Sequence, residues 1–145
     1  MKKKLSCKSK KYHNLKEAYM EYKEITEKVI GCAFRVYNQM GFGYLESIYE
    51  KCMHIELKKA GLKFEPQHPI AVYYDDIIVG EFAADIVVEE IIIVELKSVK
   101  RIVKAHEMQL VNYLTSTGKP VGLIINFGEL KVEIKRKVKD LRNID

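Results

Sequence analysis

The stretch Ile91–Ser98, IIIVELKS, sets the tightest limit on what this chain can fold into. Its apolar residues followed by Glu95-Leu96-Lys97 read as a buried strand that ends in two charges, and an uncompensated buried charge is expensive. Side chains alternate along a strand, so Glu95 and Lys97 share one face while Leu96 points into the opposite layer. Just upstream, Ala84-Asp85-Ile86-Val87-Val88 is a second apolar run with one acid in it. An antiparallel hairpin closed by Glu89-Glu90-Ile91 would set Asp85 directly opposite Glu95. A two-residue turn at Glu89-Glu90 would throw Asp85 to the other face, and no Gly or Asn decides between the two registers.

In the first register two carboxylates and one ammonium meet at one spot. Hard oxygen ligands of this kind, completed by a backbone carbonyl and waters, suit Mg²⁺ when it also engages a phosphate. Such a metal activates water, and a lysine beside it steadies developing negative charge. The same residues could equally be a buried ion pair that only holds the hairpin together.

A chain of 145 residues with 48% apolar and 31% charged residues is most simply one soluble domain with a real core. No apolar run approaches the roughly 20 residues needed to span a bilayer, and Met1-Lys2-Lys3-Lys4 is not followed by a signal-peptide core. A cytoplasmic location without membrane contact is the expectation. Cys7, Cys32 and Cys52 are odd in number and contain no CxxC pair, which fits reduced thiols. The four histidines show no metal-ligand spacing. Charge is uneven: residues 1–16 hold seven lysines and no acid, so the net +5, less those seven, becomes −2 over the rest. Residues 1–16 are expected to be a flexible basic tail, either a phosphate contact or a solvated terminus, ahead of a single domain over 17–145.

Along the chain, Asn14-Leu15-Lys16-Glu17 resembles a capped helix start, and helical patterning runs from Tyr19 to Met40, with a break near Thr26 or Gly31 left open. A second helix carries Leu45, Ile48, Tyr49, Cys52, Met53 and Ile55 and stops at Gly61, with Glu46 in its first turn, where the helix dipole alone favours an acid. Pro66 to Pro69 marks a loop, followed by strands over Ile70–Tyr74, Ile77–Val88 and Ile91–Val99 turned at Asp75-Asp76 and Glu89-Glu90. Lys100, Arg101, Lys104 and His106 form a basic connection into a helix from about Ala105 to Thr117 with Leu110, Tyr113 and Leu114 inward. Gln109 lies one turn from Tyr113 and is either a positioning group or a solvent-facing glutamine. Val121–Phe127 is an interior strand, and Leu130–Val138 alternates as a lysine-rich edge strand.

Gly43-Tyr44-Leu45-Glu46-Ser47-Ile48-Tyr49 resembles the signature of the GxxExxY family within the PD-(D/E)XK nuclease superfamily. Ala84-Asp85, Glu95-Leu96-Lys97, Gln109–Leu114 and Gly122–Gly128 follow in that family's order, over roughly residues 24–137. The resemblance implies an α/β fold with a restriction-endonuclease-like core, a mixed central sheet flanked by helices. It implies that Asp85, Glu95 and the Leu96 carbonyl bind Mg²⁺ or Mn²⁺, that Lys97 is the catalytic lysine, that Glu46 completes the metal site, and that Gln109 belongs to the catalytic set. Ala84 stands where the superfamily name has proline, and Tyr37 and Phe42 stand where relatives often carry histidine and proline.

The activity expected is metal-dependent hydrolysis of phosphodiester bonds in nucleic acid, DNA before RNA, with Lys100, Arg101 and Lys104 on the phosphates. The alternative is a nucleic-acid-binding or scaffold protein that keeps the nuclease fold with little catalysis. A homodimer would suit cleavage of two strands.

Overall fold

The computed structural model describes residues 15–139, so the expected basic tail lies outside the described residues except for its last two positions. Helix α1, Leu15–Met40, is one continuous helix of 26 residues. The question left open at Thr26 and Gly31 resolves to a helix without a break, and buried Thr26 satisfies its hydroxyl by donating to the Lys23 carbonyl at 2.9 Å. Gly41, at φ 73°, ends the helix in the left-handed conformation that favours glycine.

Helix α2, Glu46–Lys59, buries Tyr49, Met53 and Leu57. This stripe at four-residue steps is narrower than the sequence pattern suggested, and Leu45 and Ile55 are exposed. Its anchor is Tyr49, whose ring stacks on Phe127 with centroids 4.3 Å apart and whose hydroxyl donates to the Gly41 carbonyl at 2.5 Å. The Gly41–Leu45 link is thereby pinned to the sheet.

Strands β1 (Phe64–Tyr74), β2 (Ile77–Val88) and β3 (Ile92–Lys97) form an antiparallel meander. Helix α3 (Lys104–Thr117) then crosses over to β4 (Val121–Phe127), which runs parallel to β3, and β5 (Val132–Val138) closes the far edge. The segment Pro66–Pro69, expected as a loop, is part of β1. β1 is an edge strand, and an edge leaves room for residues without an N–H. This is the α/β, mixed-sheet architecture of a restriction-endonuclease-like core. Among the described residues no helix is long and apolar enough to cross a membrane, and Cys32 and Cys52 are free thiols.

Both faces of the sheet are covered. Val29, Ala33, Tyr49, Met53 and Leu57 of α1 and α2 meet Ile86, Val94, Leu123 and Phe127 on one side. Leu110, Tyr113 and Leu114 of α3 meet Val87, Ile93 and Ile124 on the other. Helix α3 sits so close that a Cβ on Gly122 would lie 2.5 Å from Leu110.

The β1–β2 ribbon is irregular at two places: its register shifts between Val72 and Tyr73, with the extra residue on β2, and the alternation of faces slips at Asp85. Ile86 and Val88 pack toward α1 and α2, yet Ala84, which regular alternation would place with them, packs under α3 beside Ile70. The slip falls at Asp85, where pairing is interrupted between Pro66↔Ile86 and His68↔Ala84 and the facing Gln67 holds a φ of 50°. Left-handed backbone in a non-glycine residue costs of order 1–3 kcal/mol and clusters at functional sites.

Candidate active site

The β2–β3 hairpin adopts the three-residue closure. Val88 pairs with Ile92, Val87 with Ile93 and Ile86 with Val94, so Asp85 faces Glu95. Glu89 and Glu90 take φ of 51° and 60°, a strained turn that long-range contacts hold. The Glu89 N–H donates to the Lys63 carbonyl at 2.8 Å, the Glu89 carboxylate accepts the Lys63 N–H at 2.6 Å, and Lys119 Nζ donates to the Glu90 carbonyl at 2.7 Å.

At Asp85 side chains replace the backbone ladder. The Asp85 N–H donates to Glu95 Oε2 at 2.9 Å, and the Leu96 N–H donates to Asp85 Oδ2 at 2.8 Å. Each carboxylate takes an amide of the other strand, which crosses the two acids at the point where the alternation slips. Glu95 is only 7% exposed. Burial first, and the charge of Asp85 second, push its carboxyl up to about 8, while the nearby Lys97 ammonium works the other way. Lys97 is half-buried and follows Glu95 on the same face of β3.

Glu46 opens α2, and its Oε2 accepts the Ser98 N–H at 3.2 Å, while Ser98 Oγ donates to the Tyr44 carbonyl at 2.9 Å. The motif Gly43–Tyr49 thus has a physical role. Tyr49 fixes the link, and Glu46 ties it to the residue that follows Lys97. Gln109 is exposed on α3, and its side-chain amide makes no hydrogen bond among the described residues. One turn on, buried Tyr113 has its phenol pushed up by burial and by the charges of Glu95 and Asp85, so that face of α3 lies in the field of the acidic pair. Lys100, Arg101 and Lys104 are exposed between β3 and the first turn of α3.

Several groups near the site escaped the sequence reading. Glu50, one turn after Glu46, accepts from Gln67 Nε2 at 2.8 Å and lies 3.4 Å from His54 Nε2. Burial and the charge of Asp85 raise its pKa. Its four-residue spacing from Glu46 was the available signal; Gln67, in a segment expected as loop, offered none. Asn126 is fully buried: its Oδ1 accepts the Val99 N–H, and its Nδ2 donates to the Val99 carbonyl and to Glu133 Oε1, all at 2.9 Å. Glu133 also accepts the Ile102 N–H at 3.1 Å, so this pair holds the basic connection in place. Tyr37 donates to the Gly128 carbonyl at 2.6 Å, a structural use for the residue that departs from the family pattern. Among the described residues no three Asp, Glu, His or Cys side chains gather closely enough to hold a metal ion, and Glu46 does not join Asp85 and Glu95 in such a group.

The family model of the PD-(D/E)XK nuclease superfamily matches residues 23–137, most of the chain, and covers every strand but the end of β5. The chain belongs to the PD-(D/E)XK nuclease superfamily. Comparison with curated proteins and with solved structures gives no match. Membership in this nuclease superfamily supports a nuclease-type function in general and implies a nucleic-acid substrate. Asp85 and Glu95-Leu96-Lys97 stand in that matched segment, on the two strands where the acids cross.

Proposed function

We propose that the chain is a GxxExxY-type member of the superfamily and a metal-dependent nuclease that hydrolyses phosphodiester bonds in DNA. The observation that carries the proposal is the crossed pair of Asp85 and Glu95 beside Lys97. Two acids held together at such cost to Glu95 fit a cation that would offset their repulsion. Asp85 and Glu95 would hold Mg²⁺ or Mn²⁺ with the Leu96 carbonyl, and water would complete the shell. When bound, the metal supplies a Lewis acid and lowers the pKa of water.

The chain's own residues do the rest. Lys97 places a positive charge on the Glu95 face, where it stabilises charge building on the phosphate. Glu46, through Ser98, fixes the backbone that carries Lys97 out of the strand. Gln109 offers an exposed amide on the α3 face nearest the acids to orient substrate. Lys100, Arg101 and Lys104 contact phosphates without reading sequence.

The test is cleavage of labelled single- and double-stranded DNA with Mg²⁺, Mn²⁺ or chelator, using wild type, Asp85→Asn, Glu95→Gln and Lys97→Ala. Cleavage that needs metal and is lost in all three variants supports the nuclease. DNA binding with no cleavage under any metal would replace it with the binding or scaffold reading.

A further inference from the structure

The β1–β2 ribbon outruns the rest of the sheet. β3 pairs with β2 over Ile86–Val88, so among the described residues Ile77–Ala84 of β2 have β1 alone as their strand partner. Because β2 and β3 are antiparallel, Ile77–Phe82 of this length extends past the end of β3 that carries Lys97, by roughly 20 Å. It leaves large apolar side chains in water: Tyr74 is 71% exposed, Ile77 66%, Tyr73 61% and Phe82 49%. Large apolar side chains left exposed along one ribbon mark a binding surface.

Phe82 joins the ribbon to the site. Its ring centroid lies 6.0 Å from that of Tyr113, the residue in the field of Asp85 and Glu95. Gly80 leaves it room, since a Cβ there would come within 2.9 Å of the Phe82 ring. Phe82 pairs with Ile70, which packs under α3; the register shift at Val72/Tyr73 adds its extra residue to β2, so alternation along β1 carries Ile70, Val72 and Tyr74 to that same face. Tyr73 falls on the opposite face. Phe82 and Tyr74 therefore stand on the side of the sheet that bears Glu95 and Lys97.

Charge selects the occupant. Residues 64–88 contain Glu65, Asp75, Asp76, Glu81 and Asp85 and no Lys or Arg, in a chain of net charge +5. That ribbon repels phosphate, so duplex DNA, which presents phosphates along its whole outside, is disfavoured against it. The cations Lys97, Lys100, Arg101 and Lys104 are instead on the β3 end and its connection into α3. One wall is aromatic and anionic; the other is cationic. A strand with splayed bases suits both walls at once, since stacking on aromatic rings and backbone contact with cations are how single strands are held.

We infer that Phe82 and Tyr74 form a base-stacking wall over the site and that the substrate is single-stranded DNA, its phosphates directed to Lys97–Lys104. The inference rests on the nuclease reading for its substrate, but binding is measurable without turnover. The experiment is fluorescence anisotropy in chelator with the full chain and three probes: a thymidine oligonucleotide of about 20 nucleotides, an abasic strand of the same length, and a duplex. Wild type is expected to bind the thymidine strand about tenfold or more tighter than the other two. Phe82→Ala and Tyr74→Ala each lose about tenfold on the thymidine strand with the abasic strand unchanged, Tyr74→Phe keeps the affinity, and Tyr73→Ala moves it by less than about twofold.

Equal binding of thymidine and abasic strands, or a preference for duplex, overturns the inference. So does a loss that falls equally on both strands. Self-association of wild type that Tyr74→Ala abolishes would overturn it too, by assigning the ribbon to contacts between copies. None of these outcomes depends on cleavage, so failure of the wall and failure of the nuclease are read separately.

Discussion

At the carboxyl ends of the neighbouring parallel strands β3 and β4 the sheet holds two polar pairs, Asp85 with Glu95 and Asn126 with Glu133, and it treats them differently. Asn126 uses both ends of its amide, and Glu133 accepts from Asn126 and from Ile102. Glu95 is nearly as buried but lies beside another carboxylate, and its pKa rises to about 8. A fully connected buried network rigidifies its surroundings, whereas a perturbed pair in reach of solvent and substrate is what chemistry needs. The Asn126–Glu133 pair holds the connection that Lys97 leads into; under the proposed function the Asp85–Glu95 pair is the centre that this connection serves.

The largest effect that could break this contrast is on turnover. Lys97→Ala and Asp85→Asn should each reduce cleavage by about 10²-fold or more with little change in melting temperature. Retained activity in both, in a quantitative cleavage assay, would remove the centre from Asp85 and Glu95.

Next in size is stability. Asn126→Leu leaves the Val99 N–H and carbonyl and Glu133 without their partner, and should cost about 2–4 kcal/mol in urea unfolding. Activity should then follow the folded fraction. A loss of cleavage at full stability would show that Asn126 acts in the chemistry instead.

A third effect is the pH dependence of the metal-free protein. Glu95 has a folded value near 8 against 4.5 for the ordinary group, so between those values the folded state keeps a proton that the unfolded chain releases. Stability therefore falls as pH rises through this window and levels off above it. Glu50, also raised, adds a fall of the same sign. Glu95→Gln should flatten most of the slope in urea titrations at a series of pH values, and an unchanged slope would mean that Glu95 is not strained. The smallest effect is Tyr37→Phe, which removes the bond to Gly128 and should cost about 1 kcal/mol with activity unchanged.

The strand IIVELK, shorter at both ends than the expected Ile91–Val99, the interior strand VGLIINF and the α3 stripe were legible because burial on both faces leaves little choice of residue. The hairpin register was not, because the residues that pin Glu89 and Glu90, namely Lys63 and Lys119, lie far away in sequence. The first half of β1, ahead of the expected strand Ile70–Tyr74, hid behind Pro66 and Pro69, which edge position tolerates but local rules read as loop. The slip at Gln67 and Asp85 was invisible for the same reason: alternation is a rule for regular strands, and this strand breaks it at the site. Asn126 looked like part of an apolar run, and only its partners on Val99 and Glu133 reveal its use.

The most direct test of the centre is a calorimetric titration of Mn²⁺ into wild type and Asp85→Asn. Binding in wild type that disappears in Asp85→Asn, while both proteins melt alike, is the predicted result. No binding to wild type even with DNA present, or equal binding to both, would contradict it and leave Asp85, Glu95 and Lys97 as a structural cluster.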